Sequence, residues 1–531
     1  MSGRVFEATS PVDGRLLKTY RETAIDQIGQ RIATARQAAE IWAGYSIERR
    51  LAALSPLRDR LATDIDSISD RLAGVTGKVR TEILLGEIYP LLHMLDYYGK
   101  HAAAILAPQA VSTSALMFPD ATAGYEYKPY GVVAVISPWN FPLQLTLYPL
   151  LSALIAGNGV VFKTSELSLP IGELIVELFA ALEIPQGLVQ WIIGGPEAGR
   201  QLIEQRPDLV FFTGGLNAGR SVMNQAARHP IPLILELGGK DAMVVFADAY
   251  QERAVNAALY GAFSNSGQVC VAVERLYVED SLYLPFVERL CEAVVKLTLG
   301  QDGEGDAGPI ISQQQLAVIE AHYHDALAKG ARASGPLQRN GNYLRPVILW
   351  NVNEDMRVVK EETFGPLLPV MVFATEQEAI TRINRCEFGL NASVWSRDLD
   401  KAQRVAEQLS VGNWAVNDLL KNIGHAGLPF GGIKNSGFGR YHGAEGLRSF
   451  TYTVSGMVNR GRLKREPNWF PYTEQGYKEL RSYVDFVFGS GTWLQRMQRN
   501  WPALLAMRQY AGFYLRQYWR NFLCLISRRH Y

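Results

Sequence analysis

Two short stretches of the chain hold residues whose types suit acyl chemistry. Cys270 ends the uncharged run Gly-Gln-Val-Cys that starts at Gly267, and Glu236 stands two residues before the pair Gly238-Gly239. A thiolate can attack the carbon of an aldehyde, and a carboxylate can later activate water against the resulting thioester. Taken singly, such residues are more often a small buried hydrophobe and a surface charge. The case for chemistry therefore depends on what accompanies them.

Two further motifs accompany this pair. Asn140 lies in Pro-Trp-Asn-Phe-Pro, which begins at Pro138, and Glu362 and Phe364 lie in Glu-Glu-Thr-Phe-Gly-Pro, which begins at Glu361. The four motifs, in this order, resemble those of the aldehyde dehydrogenase superfamily, from about residue 5 to residue 455. The resemblance implies two doubly wound parallel α/β domains and a small β oligomerisation arm. This chain adds a C-terminal helical tail.

The composition excludes several other classes of protein. A chain of 531 residues is long enough for two or three domains. Its 53 Lys and Arg balance 52 Asp and Glu, so nothing favours binding to nucleic acid. The four cysteines form no CxxC pair and the histidines show no metal-ligand spacing, so neither a disulfide framework nor a metal is expected. No apolar signal core precedes the first domain, and we expect a cytoplasmic protein.

Continuous apolar runs mark the strands of two parallel sheets. Val132–Ile136, Val160–Lys163, Val189–Ile193 and Leu209–Phe212 alternate with helical stretches, which predicts a doubly wound domain. A second series of strands begins at Met243 and predicts a second α/β domain, which contains Cys270. The predicted domains are the following: a dinucleotide-binding domain at 1–110 and 131–235, a catalytic domain at 236–440, an oligomerisation arm at 111–130 and 441–456, and a C-terminal extension at 457–531.

The chain lacks the Rossmann fingerprint G-x-G-x-x-G, but one strand runs into a glycine turn and a helix at Gly214, Gly215 and Gly219. Backbone amides at a helix start can bind a pyrophosphate without side-chain charge. The family commonly has Gly-Ser where this chain has Gly214-Gly215. Lys163 and Glu166 suit the hydroxyls of an adenosine ribose. Because a carboxylate there repels a 2′-phosphate, NAD is favoured, with NADP left open.

The resemblance implies a role for each motif residue. Asn140 and the N–H of Cys270 would stabilise the oxyanion, and Glu236 would activate water. Glu362 and Phe364 would position the nicotinamide ribose and ring. Trp139, next to Asn140 in its motif, is also predicted to contact the cofactor.

The residues after Asn140 indicate the substrate. Phe141, Gln144 and Tyr148 are predicted to line a mostly apolar access tunnel, because Gln144 and Tyr148 share a helix face. Many relatives carry a proton-relaying lysine where this chain has Pro149. We therefore expect oxidation of an apolar, long-chain or isoprenoid aldehyde to its acid. The alternatives are a CoA-acylating enzyme, which Glu236 argues against, and a semialdehyde dehydrogenase. A non-enzymatic homologue is the weakest alternative, since every motif residue is retained.

The last 46 residues contain no acid but seven arginines. Asn500 is predicted to cap a final helix, with an apolar face at 504–526 and a basic face opposite. Such a helix binds a membrane surface, or packs on a sister subunit of a homodimer or homotetramer. If the tail helix binds a membrane, we expect the protein at the inner face of that membrane.

Overall fold

The computed structural model describes residues 4–113, 118, 120–300, 304–466 and 468–506. Its strands are β1 Val5–Thr9, β2 Leu16–Arg21, β3 Gln109–Val111, β4 Ala121–Pro129, β5 Val132–Ile136, β6 Gly159–Lys163, β7 Val189–Ile192, β8 Leu209–Thr213, β9 Leu233–Glu236, β10 Asp241–Val245, β11 Val273–Glu279, β12 Arg332–Ala333, β13 Arg339–Asn340, β14 Tyr343–Leu344, β15 Val347–Trp350, β16 Leu367–Phe373, β17 Phe388–Gly389, β18 Asn391–Trp395, β19 Asn413–Val416, β20 Ile433–Lys434, β21 Gly437–Phe438 and β22 Thr451–Asn459.

The helices surround these strands. They are α1 Ile25–Ala43, α2 Ile47–Thr63, α3 Ile65–Thr76, α4 Arg80–Ile83, α5 Tyr89–Ile105, α6 Gln144–Ala156, α7 Leu169–Ala180, α8 Pro196–Glu204, α9 Leu216–Ala226, α10 Gln251–Phe263, α11 Asp280–Val294, α12 Gln313–Ala328, α13 Arg357–Lys360, α14 Glu376–Asn384, α15 Leu399–Glu407, α16 Lys421–Gly424, α17 Gly443–Arg448, α18 Glu474–Phe488 and α19 Trp493–Ala506. A π-helical turn, Leu84–Ile88, joins α4 to α5.

The first parallel sheet has the strand order β21-β9-β8-β5-β6-β7. Its members run parallel except β21, which pairs antiparallel with β9. Every residue of β5, β6 and β8 is buried, as the continuous apolar runs predict for strands covered on both faces. Functional residues are expected at the carboxyl ends of such strands.

The second parallel sheet has the order β12-β15-β16-β11-β10-β18-β19, and only β12 runs antiparallel to its neighbour. Two hydrophobic clusters cover its two faces. One includes Val244 and Tyr277, and the other includes Met243 and Leu276, so adjacent residues of one strand enter opposite clusters. Both predicted series of strands are therefore present.

Of the described residues, those within 1–105 and 129–451 form one compact unit, and those within 106–128 and 452–531 form another. The second unit contains the sheet β22-β4-β3 and the helices α18 and α19. The Arg499 guanidinium and the Asn500 amide both donate to the carboxylate of Asp485, which links these two helices. Asn500 therefore lies inside α19 and not at its N-cap, so that prediction was wrong. Residues 507–531 of the predicted tail helix lie outside the described residues.

Candidate active site

A cleft of about 560 Å³ opens at the carboxyl ends of β5, β6 and β8. Its wall brings together motifs that are far apart in the chain. The predicted residues that line it are Trp139, Asn140, Lys163, Glu166, Gly214, Gly215, Glu236, Cys270, Glu362 and Phe364. Gly219 is not in the wall. A Cβ on Gly219 would lie 2.5 Å from the Leu237 side chain, so this glycine allows α9 to pack closely on the sheet.

Cys270 follows a tight turn with left-handed backbone. Asn265, Ser266 and Gly267 have φ angles of 49°, 55° and 75°. A Cβ on Gly267 would lie 2.4 Å from the carbonyl oxygen of Gly365, so only glycine fits there. Asn265 and Ser266 are not glycines, so their left-handed backbone costs free energy, and such strain concentrates at functional sites. The turn presents Cys270 to the cleft.

The side chain of Asn140 is tied to the same turn. Its Nδ2 amide donates to the carbonyl of Gln268 at 3.1 Å. In return, Nδ2 of Asn265 donates to the carbonyl of Asn140 at 3.2 Å. An asparagine amide carries two N–H donors, so Asn140 can donate one further hydrogen bond. This geometry puts a donor beside the cysteine.

Glu236 ends β9 and is buried. Neither carboxylate oxygen has a hydrogen-bond partner among the described residues. Burial raises the pKa of the Glu236 carboxyl well above its ordinary value, and the nearby charge of Arg440 only partly opposes this. A carboxyl group with a raised pKa and no fixed partner is suited to exchange a proton with water.

The electrostatic environment keeps Cys270 protonated in the free protein. Burial raises the pKa of the thiol, and the negative charges of Asp241, Glu362 and Glu236 raise it further. The thiolate therefore forms only when a proton is removed from the site.

Glu362 and Phe364 line the same cleft from a short loop. The amide N–H of Gly239 donates to Oε1 of Glu362 at 3.0 Å. Burial and the neighbouring Glu274 raise the pKa of Glu362 to about 8. Phe364, at a φ of 51°, meets the ring of Trp139 edge to face with centroids 5.5 Å apart. The two aromatic rings form one wall of the cleft.

Sequence reasoning missed the buried clamp that holds this loop. Glu274 accepts from the amides of Thr363 and Phe364, each at 2.8 Å. Its charge is balanced by Lys240, whose ammonium group pairs with it and also lies 3.3 Å from the Thr363 hydroxyl. A charge-assisted bond to backbone N–H groups is stronger than a neutral one. The lysine stands directly after Gly238-Gly239, but no signal in the sequence indicated its partner.

Sequence reasoning also missed a second buried ion pair, which holds the start of α6. Glu87 lies in the π-helical turn and pairs with Lys78 at 2.7 Å. Its other oxygen accepts from the amides of Leu143 and Gln144 at 3.1 and 2.9 Å. A carboxylate is favourable at a helix N-terminus, where backbone N–H groups lack partners. This contact fixes the helix that follows Asn140.

The far edge of the cleft carries the residues predicted for the cofactor ribose. Lys163 is buried, and its ammonium nitrogen lies 3.9 Å from Oε2 of Glu166. Arg200, which the sequence analysis did not consider, also lines this edge and pairs with Glu197. A Cβ on Gly215 meets no atom within 4 Å, so the backbone at the start of α9 faces open space. The cleft therefore has room for a pyrophosphate at this helix N-terminus.

A smaller cavity of about 220 Å³ reaches Cys270 from the other side. Phe141 and Gln144 line it, but Tyr148 does not. The ring of Tyr148 stacks on His442 with centroids 3.9 Å apart, and it is His442 that lines the cavity. Tyr148 therefore lies behind the wall. Burial lowers the pKa of His442 to about 3, so that ring is neutral.

The rest of the cavity wall is mostly apolar. The apolar lining residues include Leu85, Leu145, Val269, Val271, Leu420, Ile423 and Phe430. Within the described part of the chain, no lysine or arginine lines it. One carboxyl group does: Glu82 accepts from the amide of Asn265 at 2.5 Å, and burial raises its pKa. Glu82 thus anchors the turn that precedes Cys270.

Comparison with known proteins identifies the family. The profile of the aldehyde dehydrogenase family matches residues 1–455. The chain belongs to this family. It is therefore an enzyme that oxidises an aldehyde with a nicotinamide dinucleotide, and the predicted family, fold class and reaction are confirmed.

Two relatives extend this finding. The chain is 56% identical over 520 residues to 4,4'-diapolycopene aldehyde oxidase of Methylomonas sp, and the alignment covers 98% of each chain. The similarity to this relative therefore extends well past residue 455 into the tail. The chain is 32% identical over 474 residues to betaine aldehyde dehydrogenase of Bacillus subtilis (strain 168), covering 87% of this chain and 95% of the relative.

Solved structures share the fold. Betaine aldehyde dehydrogenase of Staphylococcus aureus in complex with NAD+ superposes with a TM-score of 0.80 at 30% identity, covering 88% of this chain and 94% of that chain. An NADP dependent enzyme of E. coli superposes with a TM-score of 0.82 at 31% identity, covering 86% and 95%. A relative solved with NAD+ and a relative described as NADP dependent are thus similar to this chain at nearly the same sequence identity.

The described residues include neither a metal-ligand cluster nor a membrane-spanning helix. Among them, no group of three or more His, Cys, Asp or Glu is placed to hold a metal ion. None of the helices found there is both long and apolar enough to cross a membrane.

Proposed function

We propose that the enzyme oxidises an apolar isoprenoid aldehyde to the carboxylic acid, with Cys270 as nucleophile and NAD as cofactor. The observation that carries the proposal is the pair of spaces that meet at Cys270: a wide cleft with a polar far edge, and a small apolar cavity. The relative from Methylomonas sp, named for an isoprenoid aldehyde, supports the substrate class.

The first half of the reaction forms a covalent adduct at Cys270. The Cys270 thiol first gives its proton to water that enters through the cleft. The sulfur then attacks the carbonyl carbon, and the carbonyl π electrons move to the oxygen. The Asn140 amide and the N–H of Cys270 donate to that oxyanion, and removing one such donor typically costs about a hundredfold or more in rate. NAD, when bound, supplies the acceptor for the hydride that leaves the adduct, which becomes a thioester.

The second half hydrolyses the thioester. Glu236 takes a proton from water, the water oxygen bonds to the acyl carbon, and the C–S bond breaks to release the thiolate of Cys270. Glu236 is buried with both oxygens unpartnered among the described residues, and its raised pKa makes the ionised carboxylate a stronger base toward water. The retained carboxylate argues for water as acceptor and against coenzyme A. The proton path out of the site does not use a lysine at position 149, which is proline.

The far edge of the cleft supports NAD. Lys163 donates and Glu166 accepts, which matches the two hydroxyls of a ribose, while the Glu166 carboxylate repels a 2′-phosphate. NADP is the second candidate, because Arg200 lines the same edge and a guanidinium binds phosphate well. Comparing kcat/KM with each cofactor tests the choice. We expect Glu166→Gln to improve NADP use relative to NAD.

The substrate cavity argues against a semialdehyde with a second carboxylate. No lysine or arginine from the described residues lines it, and His442 is neutral. An anionic group there would be desolvated without a partner, which is costly. A panel of isoprenoid, short aliphatic and succinic semialdehydes, assayed by absorbance of the reduced cofactor, tests the substrate class. A preference for the semialdehyde would refute it.

The role of Cys270 is tested in the same assay. We expect Cys270→Ala to abolish oxidation while the dinucleotide still binds, measured by equilibrium fluorescence. Retained activity in this variant would refute the covalent mechanism.

Assembly and membrane association are proposed for the second unit. Its helices expose large apolar side chains, among them Tyr477, Phe488, Trp493 and Trp501. We propose that the sheet β22-β4-β3 forms the arm of a homodimer or homotetramer and that the tail binds anionic lipid. Because α18 and α19 are linked through Asp485, a truncation should remove both. Co-sedimentation of only the full chain with anionic vesicles would support the second proposal, and equal sedimentation of both forms would refute it.

A further inference from the structure

One face of α5 carries an unusual row of aromatic side chains. Tyr89, His93, Tyr97 and His101 follow one another at intervals of four residues, which puts them on the same side of the helix. At 1.5 Å rise per residue, the row from the first ring to the last is about 18 Å long. Tyr89 and His101 are exposed and the two rings between them are half-buried.

The rings of this row contact one another in two pairs. Tyr89 stacks on His93 with centroids 5.9 Å apart, and Tyr97 meets His101 at 4.7 Å. His425, from a neighbouring loop, packs edge to face on His93 at 5.7 Å. The row is thus made of two pairs of contacting rings on one side of the helix, with His425 beside the first pair. A soluble helix ordinarily turns charged or polar side chains outward at such positions.

The row begins at the mouth of the substrate cavity. Leu85, in the π-helical turn directly before α5, lines the cavity and is also 54% exposed, so it borders both the cavity and the outside. His93 Nδ1 lies 3.4 Å from the carbonyl oxygen of Gly424, another lining residue. The mouth of the cavity at Leu85 and Gly424 therefore lies beside the first rings of the row on α5.

The cavity is too small for a long substrate. Its volume is about 220 Å³. Pockets that enclose a drug-sized ligand measure roughly 300–1,000 Å³. The cavity can take the aldehyde end of an elongated isoprenoid but not the whole molecule, and the remaining chain must leave through the mouth.

We propose that Leu85 and the aromatic row Tyr89, His93, Tyr97 and His101 form a track that holds the distal chain of an elongated isoprenoid aldehyde. This inference rests on the proposed function, because it takes the substrate class from it. Aromatic rings present large apolar faces at little conformational cost, and burying a chain against them removes apolar surface from water. The track thus makes chain length a determinant of kcat/KM.

Two aldehydes with the same reacting end test the proposal. Geranial is short, and geranylgeranial has the same unsaturated aldehyde end on a longer isoprenoid chain. We expect Tyr89→Ser/Tyr97→Ser to lower kcat/KM for geranylgeranial about tenfold and to leave the value for geranial within about twofold. Tyr89→Phe/Tyr97→Phe should restore the preference for the longer chain. Tyr250→Ser, at a tyrosine outside the row that is about as exposed as Tyr89, is the matched control and should change neither value.

Several results would overturn the proposal. An equal loss for both aldehydes would mean that the row only supports the fold, and no loss for either would mean that the chain lies elsewhere. If the double serine variant instead changes the oligomeric state or loses vesicle binding at unchanged kcat/KM, the row meets a subunit or a lipid surface. If the unaltered enzyme does not prefer isoprenoid aldehydes at all, the proposed function itself fails, and the two failures are thereby distinguished.

Discussion

Replacing Glu87 should destabilise the enzyme and impair catalysis together, although this residue does not touch the cleft. Its carboxylate neutralises Lys78, whose side chain is only 1% exposed, and accepts two backbone amides at the start of α6. Breaking a buried pair by removing one partner typically costs about 3–5 kcal/mol, because the other charge is left buried and uncompensated. We expect Glu87→Ala to lose about 4 kcal/mol on this basis.

The expected loss is a large fraction of the roughly 5–15 kcal/mol that stabilises a folded protein. Glu87→Gln is therefore the more informative variant. It keeps an oxygen for the helix amides but loses the charge, so we expect an intermediate cost of about 2 kcal/mol. Because α6 follows Asn140 directly, a small shift of its start should misplace the oxyanion donor and lower kcat by about tenfold or more.

Urea unfolding followed by tryptophan fluorescence, together with kcat, measures both effects. Asp96→Ala is the matched control, because Asp96 forms an exposed pair with Lys100 on α5 and such pairs contribute little. Adding Lys78→Met to Glu87→Gln should recover part of the lost stability, since no unpaired charge remains. A Glu87→Ala enzyme that unfolds at the same urea concentration as the unaltered enzyme would refute the reasoning.

Three further predictions concern the cleft. Glu236→Gln should slow deacylation selectively, so that a burst of reduced cofactor precedes slow turnover in stopped-flow absorbance, and an unchanged steady-state rate would point to another base. Because burial raises the pKa of the Cys270 thiol, its thiolate fraction in the free enzyme should keep rising with pH above neutrality. Iodoacetamide labelling, located by mass spectrometry, should accelerate accordingly, and a plateau below neutral pH would contradict this. Glu274→Gln should weaken NAD binding by about tenfold through the loss of one amide acceptor. Burial raises the pKa of Glu362 to about 8 and the charge of Glu274 contributes to that rise, so this variant should also shift the pH dependence of the NAD dissociation constant to lower pH. Simple loosening of the loop would not do so.

Much of the architecture was predictable because the parallel strands are buried on both faces. A strand buried on both faces consists almost entirely of apolar residues, as Val132–Ile136 does, and the structure has a strand there. The catalytic motifs were equally visible, since a cysteine, a carboxylate and an asparagine in glycine- or proline-rich turns have few structural uses in that combination. The structure brings Cys270, Glu236 and Asn140 to one cleft wall. Their chemical roles stay predictions.

Local rules failed where a residue's partner comes from a distant segment. Helical spacing correctly relates Gln144 to Tyr148, but it does not say that His442 stands between Tyr148 and the cavity. Asn500 has a strong preference for the N-cap, yet its contact with Asp485 keeps it inside a helix. A capping preference amounts to about 1 kcal/mol, and contacts with another helix can outweigh it.

The sequence by itself determined the family, the reaction type and most of the motif residues that border the cleft, because these depend on short motifs and on apolar runs. Only the tertiary structure decided what holds those motifs in place. Glu87 and Glu274 are ordinary acidic residues in the sequence, and each becomes a buried anchor because a lysine and two backbone amides converge on it. Such convergence is a property of the packed fold, and no spacing along the chain encodes it.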